Sequence, residues 1–399
     1  LLSAVLVMTL PAAMGWLPWK EAALRGITLL VAASPCALAI ATPAAVLSGI
    51  AQAAHNGVLI KGGVHLENLG SIRAIAFDKT GTITQGRPEV TDLLPVDGVS
   101  ELQLLEIAAG AESHSRHPIS GAIVRAAQSK GLQSLPDAQE MESIPGRGVR
   151  AHLGHEIVQV GSARMFRERR GAGIPAELEM QASALERAGK TAILVLAGQR
   201  FLGIIAVADR PRGEVRAVLE ELRALGIKHL IMLTGDNELV AEGVASAVGL
   251  MDYRAGLLPE DKLQAIRALI EEHGKVAMIG DGVNDAPALA RSTVGIAMGA
   301  SGSDMALESA DVALMGDELQ KLPFAVGLGR QFGRIIRQNL FTSMGVIALL
   351  VPAAISGLAG ISLAIVLHEG STLAVVFNAL RLLTYGRREE APRSRISVG

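Results

Sequence analysis

Apolar residues crowd the two ends of this chain and thin out in its middle. Leu1 to Leu17 is apolar apart from Ser3 and Thr9, and leads into Gly15-Trp16-Leu17-Pro18-Trp19-Lys20, where two Trp flanking a Pro predict an interfacial turn. A second run, Leu24 to Ile50, is long enough to cross a bilayer but carries Ser34-Pro35-Cys36 and Thr42-Pro43 inside it. The last block, Leu340 to Leu383, is divided by Ile355-Ser356-Gly357-Leu358-Ala359-Gly360, a turn between two helices. About four membrane helices are expected, two at each end. Arg334 and Arg337 precede the last pair and Arg381, Arg387 and Arg388 follow it, which predicts cytoplasmic ends.

The middle reads differently. Three short apolar runs end in polar groups: Ile72 to Phe77 on Asp78, Lys228 to Leu233 on Thr234-Gly235-Asp236-Asn237, and Lys275 to Ile279 on Gly280-Asp281-Gly282-Val283-Asn284-Asp285. Helical stretches lie between them (213–225, and one opening at Pro259-Glu260-Asp261-Lys262), and further strands are expected at 294–298 and 311–314. That alternation predicts an α/β fold with a doubly wound parallel sheet. Residues 86–207 mix helix and strand and read as an inserted α+β domain, with the chain returning at Asp209-Arg210-Pro211-Arg212. The expected order is membrane helices over 1–52, stalk and first part of the sheet domain over 53–85, and the insertion over 86–207. The rest of the sheet domain follows over 208–325, stalk and last membrane helices over 326–385, and a disordered tail over 386–399. Gln52 to Leu69 is expected to be a helical stalk.

Net charge is −2 over 399 residues, so no strong field points to nucleic acid. Half the residues are hydrophobic and mean hydropathy is +0.37, high for a purely soluble protein. Cys36 is the only cysteine, which excludes an internal disulfide and a Cys-rich metal finger. With no leading Met or basic n-region, the opening residues read as the interior of a membrane helix rather than as a signal peptide.

Candidate chemistry concentrates at the strand ends. In an open parallel sheet, carboxyl ends of strands face the ligand crevice, and Asp78 would stand there. A carboxylate can attack a phosphoryl group. Lys79, Thr80, Gly81 and Thr82 offer hydroxyls and turning N–H groups suited to phosphate oxygens. In the insertion, His117-Pro118 opens a helix and Gly146 and Gly148 form a turn before a strand pair. Each alone is better explained as ordinary loop and hairpin structure. In the second apolar run, Pro35 breaks a helix beside a thiol, which suits either a cation site or a simple kink. His368 and Glu369 sit deep in the last run, where ionisable groups are costly and mark a functional site. His368 and Thr372 share a helical face, with Glu369 about 100° away.

Phe77-Asp78-Lys79-Thr80-Gly81-Thr82-Ile83-Thr84 resembles the phosphorylation motif of the P-type ATPases, cation pumps that pass through an aspartyl-phosphate. The resemblance extends over almost the whole chain and implies a haloacid-dehalogenase-like phosphorylation domain. Asp78 would be its nucleophile and Mg²⁺ would be held by Asp78, Asp281 and the Thr80 carbonyl. Lys79, Thr80, Thr234, Gly235, Asp236, Lys262, Asn284 and Asp285 would complete the phosphoryl cage. His117, Pro118, Gly146 and Gly148 would hold ATP. Ser34-Pro35-Cys36 together with His368-Glu369-Gly370-Ser371-Thr372 resembles the membrane motifs of a heavy-metal subgroup associated with cobalt and zinc. The implied ion ligands are Ser34, Cys36, His368, Glu369 and Thr372. One thiolate, one imidazole and one carboxylate suit Co²⁺ or Zn²⁺, with Cd²⁺ and Fe²⁺ inseparable by affinity order, and suit Cu⁺ poorly. The implied setting is an integral membrane protein of the plasma (inner) membrane with its large domains cytoplasmic. The family also carries an actuator domain with a Thr-Gly-Glu loop; none occurs in these residues, so an amino-terminal part is expected outside them, with slow turnover in its absence. A pump for another ion such as Cu⁺, a membrane-anchored phosphatase and a non-enzymatic metal sensor are the rival readings.

Overall fold

The computed structural model describes residues 2–115, 117–144, 146–167, 173–282, 285–299 and 308–386. Asn284 and the tail from residue 387 lie outside the described residues. By contact density the chain forms two units: residues 1–72 with 311–316 and 321–399, and residues 73–310 with 317–320.

The first unit opens with α1 (Leu2–Ala13) and α2 (Trp19–Ala32), followed by α3 (Cys36–His55). The break between α2 and α3 is chemical. Pro35 lacks the N–H that would continue the ladder and sits at φ −85°, ψ 39°, so the helix restarts with Cys36 as its first residue. After His55 the expected continuous stalk does not form. Gly57 takes a left-handed φ of +72°, and the chain runs through β1 (Val58–Ile60) before α4 (Gly63–Ser71). β1 pairs antiparallel with the strand at Val312–Leu314, Val58 opposite Leu314 and Ile60 opposite Val312. That late strand is present where the sequence predicts it, and its antiparallel pairing with β1 is the unexpected part.

Two long helices close the unit: Lys321–Ser356, of 36 residues, and Ile361–Leu380, joined at Gly357 with φ +80°. The buried positions of the second, Ala364, His368, Thr372, Val375 and Ala379, recur every three or four residues and so share one face. Those of the first include Phe332, Ile335, Asn339, Ser343, Leu350 and Ala354 on the same period. Trp19–His55, Lys321–Ser356 and Ile361–Thr384 are long and apolar enough to cross a membrane. Against the expected four or so, α1, with 12 residues, falls short of a span and packs Ala4 against Leu29 and Ala354. Outward faces carry Leu47, Phe341, Leu349, Val366 and Phe377, a surface suited to lipid or another apolar face.

The second unit is built on five parallel strands in the order Val294–Met298, Val276–Gly280, Ala74–Asp78, His229–Leu233 and Asp252–Arg254. The middle three are buried along their whole length or nearly so, the pattern of a parallel sheet covered on both faces. Helices Val215–Ala224, Glu238–Val248, Pro259–His273 and Ala286–Arg291 cover it. The insertion is a six-stranded antiparallel sheet, beginning at Glu89–Pro95 and ending at Arg200–Ala208, with helices Glu101–Glu112, Pro118–Ser129 and Ala176–Arg187. Its core joins Leu104, Leu105 and Ile123 to Val149, Val160 and Ile205.

In the first unit, α4 crosses the helix Lys321–Ser356 on two glycines. A Cβ on Gly70 would lie 2.4 Å from the Gly329 carbonyl oxygen, and one on Gly329 would lie 2.6 Å from the Gly70 nitrogen. Gly329→Ala must push the backbones apart, and we expect a loss of about 1–3 kcal/mol. Thermal unfolding of the chain in lipid, followed by helicity and protease resistance of the 58–72 segment, checks this. An unshifted midpoint would mean the two backbones do not touch.

Candidate functional site

The central strand of the parallel sheet, Ala74–Asp78, lies between Val276–Gly280 and His229–Leu233. Its last residue, Asp78, is 4% exposed and is flanked by the residues following the two neighbours, Asp281 and Thr234. The expected convergence of Asp78, Thr234 and Asp281 on one sheet edge is present. Lys262 reaches this point from the first turn of the helix Pro259–His273. Pro259 supplies the preset φ at the start, and the Asp261 carboxylate accepts from the Leu258 N–H (3.0 Å), so Lys262 falls in the first turn facing inward. Its ammonium donates to Asp78 Oδ1 and to Asp285 Oδ1, the latter at 2.7 Å. Lys79 pairs with Asp236, and Thr234 Oγ1 accepts from the Asp236 N–H (3.1 Å).

The loop after Asp78 turns at Thr80 (φ −75°, ψ 128°) and Gly81 (φ 72°, ψ −6°), the dihedrals of a type II turn, which requires glycine at the second position. A Cβ on Gly81 would approach Asp281 Oδ2 to 3.3 Å, so this turn lies against Asp281. Thr80 is exposed there, while the buried Thr82 hydroxyl has no partner among the described residues.

Two residues noted in the sequence only as marking the chain's return hold this loop. Asp209 accepts from Thr84 Oγ1 (2.6 Å) and from the N–H groups of Gly86 and Arg87 (3.1 Å each). Arg212 donates to the carbonyls of Gly81 (3.0 Å) and Thr84 (3.1 Å) and to Asp317 Oδ2 (2.7 Å). Both strands linking sheet and insertion are thus tied at one place. The sequence signal was the charged run itself, 125 residues from the threonine that Asp209 binds.

In the insertion, the His117 ring caps its helix by accepting from the Ile119 N–H (3.3 Å). Burial lowers the pKa of this ring, against the opposing pull of the Asp236 carboxylate. A hydrogen-bonded set that sequence reasoning passed over supports this loop. Ser120 donates to buried Glu112 (2.5 Å), meets Ser115 at 2.7 Å, and Ser115 accepts from the His117 N–H (3.3 Å). Burial pushes the Glu112 carboxyl up. Gly146 turns with open space around it, whereas a Cβ on Gly148 would strike the Val160 carbonyl oxygen at 2.1 Å, so strand packing alone demands that glycine. Glu186, also missed, accepts from Asn237 Nδ2 (2.7 Å) and ties the insertion to the helix Glu238–Val248.

In the first unit, Ser34 Oγ and Cys36 Sγ lie 3.0 Å apart at the helix break. His368 and Thr372 are buried on one face, while Glu369 is exposed on another. The hydroxyls of Ser371 (2.7 Å) and Thr372 (3.1 Å) both donate to the His368 carbonyl. Val375, one turn from Thr372, clusters with Ala37 and Ala41, on the helix that Cys36 opens.

Residues 72–293 match the haloacid dehalogenase-like hydrolase model. The chain is 45% identical over 382 residues to a probable cadmium-transporting ATPase of Staphylococcus aureus, covering 95% of this chain and 53% of that protein. A zinc-transporting PIB-type ATPase solved in its E2.Pi state superposes with a TM-score of 0.75 at 42% identity, over 96% of this chain and 61% of that one. The catalytic domain of the CPx-ATPase CopB-B is 31% identical with a TM-score of 0.54, over 70% of this chain and 98% of that one. The chain belongs to the P-type ATPases, within the haloacid dehalogenase-like hydrolases. It spans about half the length of the full-length relatives it matches.

For a P-type ATPase the electrostatics of the strand end are informative. Burial, then the neighbouring Asp285 carboxylate, push the Asp78 carboxyl from 3.8 up to about 7, against the pull of Lys262 and with Asp281 adding to the rise. Burial alone would lower the Lys262 pKa, but Asp78 and Asp285 outweigh it and hold the ammonium charged above its ordinary range. One ammonium thus serves two carboxylates, with Asp281 close enough to act on Asp78. Asp78, Asp281 and a turn carbonyl form a donor set of hard oxygens that fits Mg²⁺.

A folded carboxyl raised above its unfolded value keeps a proton that the unfolded chain has lost, so stability falls as pH rises from about 4 to 7. Adding Mg²⁺ near pH 7 should lower that pKa and release protons. Asp78→Asn should flatten this part of the pH–stability curve and abolish most of the release. Calorimetry against pH and proton release in weak buffer measure both; release unchanged by Asp78→Asn would place the cation elsewhere.

Proposed function

We propose that this P-type ATPase chain forms the catalytic and ion-binding part of an exporter driven by ATP, with a divalent transition metal as cargo. The observation that carries the reading is Asp78 at the end of the central strand, between Thr234 and Asp281, with Lys262 on its carboxylate. ATP docks on the insertion through His117, Pro118, Gly146 and Gly148. A carboxylate oxygen of Asp78 attacks the γ-phosphorus, the bond from that phosphorus to the bridging oxygen breaks, and ADP leaves with the electron pair. Lys262 and Thr234 neutralise and donate to the transferring oxygens, and Asp285 holds Lys262 in place. Lys79, Thr80, Gly235 and Asp236 are assigned to the same cage, and Asn284 is assigned to it from its sequence motif alone. Bound Mg²⁺ would supply the charge neutralisation that lets a carboxylate approach a phosphate. Water then hydrolyses the aspartyl-phosphate, a step we assign to an actuator-type domain with the Thr-Gly-Glu loop these residues lack.

The ion is assigned to Ser34, Cys36, His368 and Thr372, with Glu369 presenting a carboxylate on the adjoining face. A single thiolate beside imidazole and oxygen favours Zn²⁺, Cd²⁺ or Co²⁺ over Cu⁺. Cadmium- and zinc-transporting relatives support the first two, and Co²⁺ and Fe²⁺ rest on ligand chemistry alone. The membrane is assigned as the plasma (inner) membrane, with the second unit on its cytoplasmic side.

The chain in lipid, given radiolabelled ATP, should form an acid-stable, alkali-labile phosphoprotein that Asp78→Asn abolishes. Its level should respond to Zn²⁺, Cd²⁺ or Co²⁺ and not to Cu⁺, and Cys36→Ala and His368→Ala should each remove that response. A phosphoprotein surviving Asp78→Asn would overturn the mechanism. A response to Cu⁺ alone would overturn the cargo, and labelling indifferent to metal would favour an anchored phosphatase.

A further inference from the structure

Hydroxyls inside an apolar helix ordinarily satisfy themselves on the carbonyl one turn back. Thr28 does so on Leu24 (2.7 Å), Thr42 on Leu38 (3.3 Å), and Ser371 and Thr372 on His368. Ser343, in the helix Lys321–Ser356, is 3% exposed, and its buried hydroxyl has no hydrogen-bond partner among the described residues. A serine present only to let helices approach could turn its hydroxyl onto the Asn339 carbonyl, and this one does not.

Its depth can be read from neighbouring contacts. Asn339 Nδ2 donates to the Val375 carbonyl (3.1 Å), and Asn378 Nδ2 donates to Asn339 Oδ1 (2.8 Å), so Asn339 is level with Val375 to Asn378. The two helices form a hairpin and run antiparallel. Ser343 lies four residues farther on and on the same face, about 6 Å deeper. The matching step along Ile361–Leu380 ends at Ser371 to Ala374, beside buried Thr372. The thiol comes to the same level. Ala37 and Ala41 pack on Val375, while Gln52 Nε2 reaches the Tyr385 carbonyl (2.5 Å), so α3 runs parallel to Ile361–Leu380 and Cys36 falls opposite Thr372. Buried Ser343 and Thr372 thus share one depth with half-buried Cys36, and buried His368 lies one turn away.

We propose that Ser343 supplies an oxygen ligand to the transported metal ion. The proposal rests on the ion site assigned above. A neutral hydroxyl adds a donor without adding charge, and alongside one thiol and one imidazole it completes a set suited to divalent borderline ions. It also gives the unpaired oxygen a partner whenever the ion is bound.

Co²⁺ serves as the probe, because thiolate ligation gives it a charge-transfer absorption and Cys36 is the only thiol in the chain. The whole chain in lipid nanodiscs would be titrated with Co²⁺, and with Zn²⁺ against a competing chelator. Ser343→Ala should weaken both ions roughly tenfold while leaving the band per bound Co²⁺ unchanged. Ser343→Cys, a near-isosteric change that keeps the helix packing, should raise the band about twofold by adding a second thiolate. Cys36→Ala should remove the band, and Cys36→Ala with Ser343→Cys should restore one thiolate's worth. If Cys36→Ala removes the band but Ser343→Ala binds as wild type and Ser343→Cys adds no intensity, Ser343 is not a ligand. If Cys36→Ala leaves both band and affinity unchanged, the ion site itself has been misassigned.

Discussion

One ammonium among several carboxylates governs the catalytic unit. Lys262 bridges Asp78 and Asp285 in a site from which water is nearly excluded, with Asp281 close enough to raise the Asp78 carboxyl further. Buried charges of one sign are costly unless paired, and here one ammonium is shared between two carboxylates. The parallel sheet forces Asp78 and Asp281 to the same edge, because they stand at the ends of neighbouring strands. The type II turn at Thr80-Gly81 then carries the chain across that edge instead of away from it. Asp209 and Arg212 fix the turn from the second crossover strand. What results is a concentration of negative charge that a divalent cation relieves. In the proposed phosphorylation step, that relief is what would let the Asp78 carboxylate act as a nucleophile.

The membrane helices repeat this logic in a poorer solvent. Pro35 ends one ladder before Cys36 begins the next, so a thiol and a hydroxyl stand 3.0 Å apart at the break. The polar positions His368 and Thr372 occupy the buried stripe of their helix, where apolar residues would pack at lower cost. Asn339 and Asn378 spend their amides on each other and on a carbonyl, and so lock the hairpin one turn below. The lock is satisfied, whereas the Ser343 hydroxyl one turn on has no partner among the described residues.

Much of this was legible in the sequence where the signal is local. Strand-end residues Asp78, Thr234 and Asp281 were readable because an apolar run followed by a polar loop has one meaning in a parallel sheet. The break at Pro35 and the turn at Gly357 followed from proline and glycine chemistry. The stalk was misread because helical periodicity across 52–69 outweighed Gly57, whose left-handed φ ends α3 and starts β1. The strand at 312–314 was legible, whereas its antiparallel partner β1 lay inside the segment read as helix. Asp209, Arg212, Glu186 and Ser343 were not identified as functional at all. Their partners lie far away in the chain or, for Ser343, are absent among the described residues, and no local pattern marks a side chain for what it will meet after folding.

The lone thiol has a consequence for selectivity. Soft monovalent copper gains most from two or more sulfurs, and a site with one sulfur surrenders that advantage. Imidazole and hydroxyl oxygen restore affinity for borderline divalent ions at little cost in net charge, which matters in a medium where every uncompensated charge is expensive. A carboxylate on the buried stripe would bind divalent ions more tightly but would also hold them against release. Glu369 is turned off that stripe and exposed on this chain, so in the proposed site half-buried Cys36 and buried His368 and Thr372 would carry affinity while the carboxylate would be free to act on the ion's entry or exit. A pump needs a site it can empty, and this division of donors between two faces of one helix is a physical means to that end.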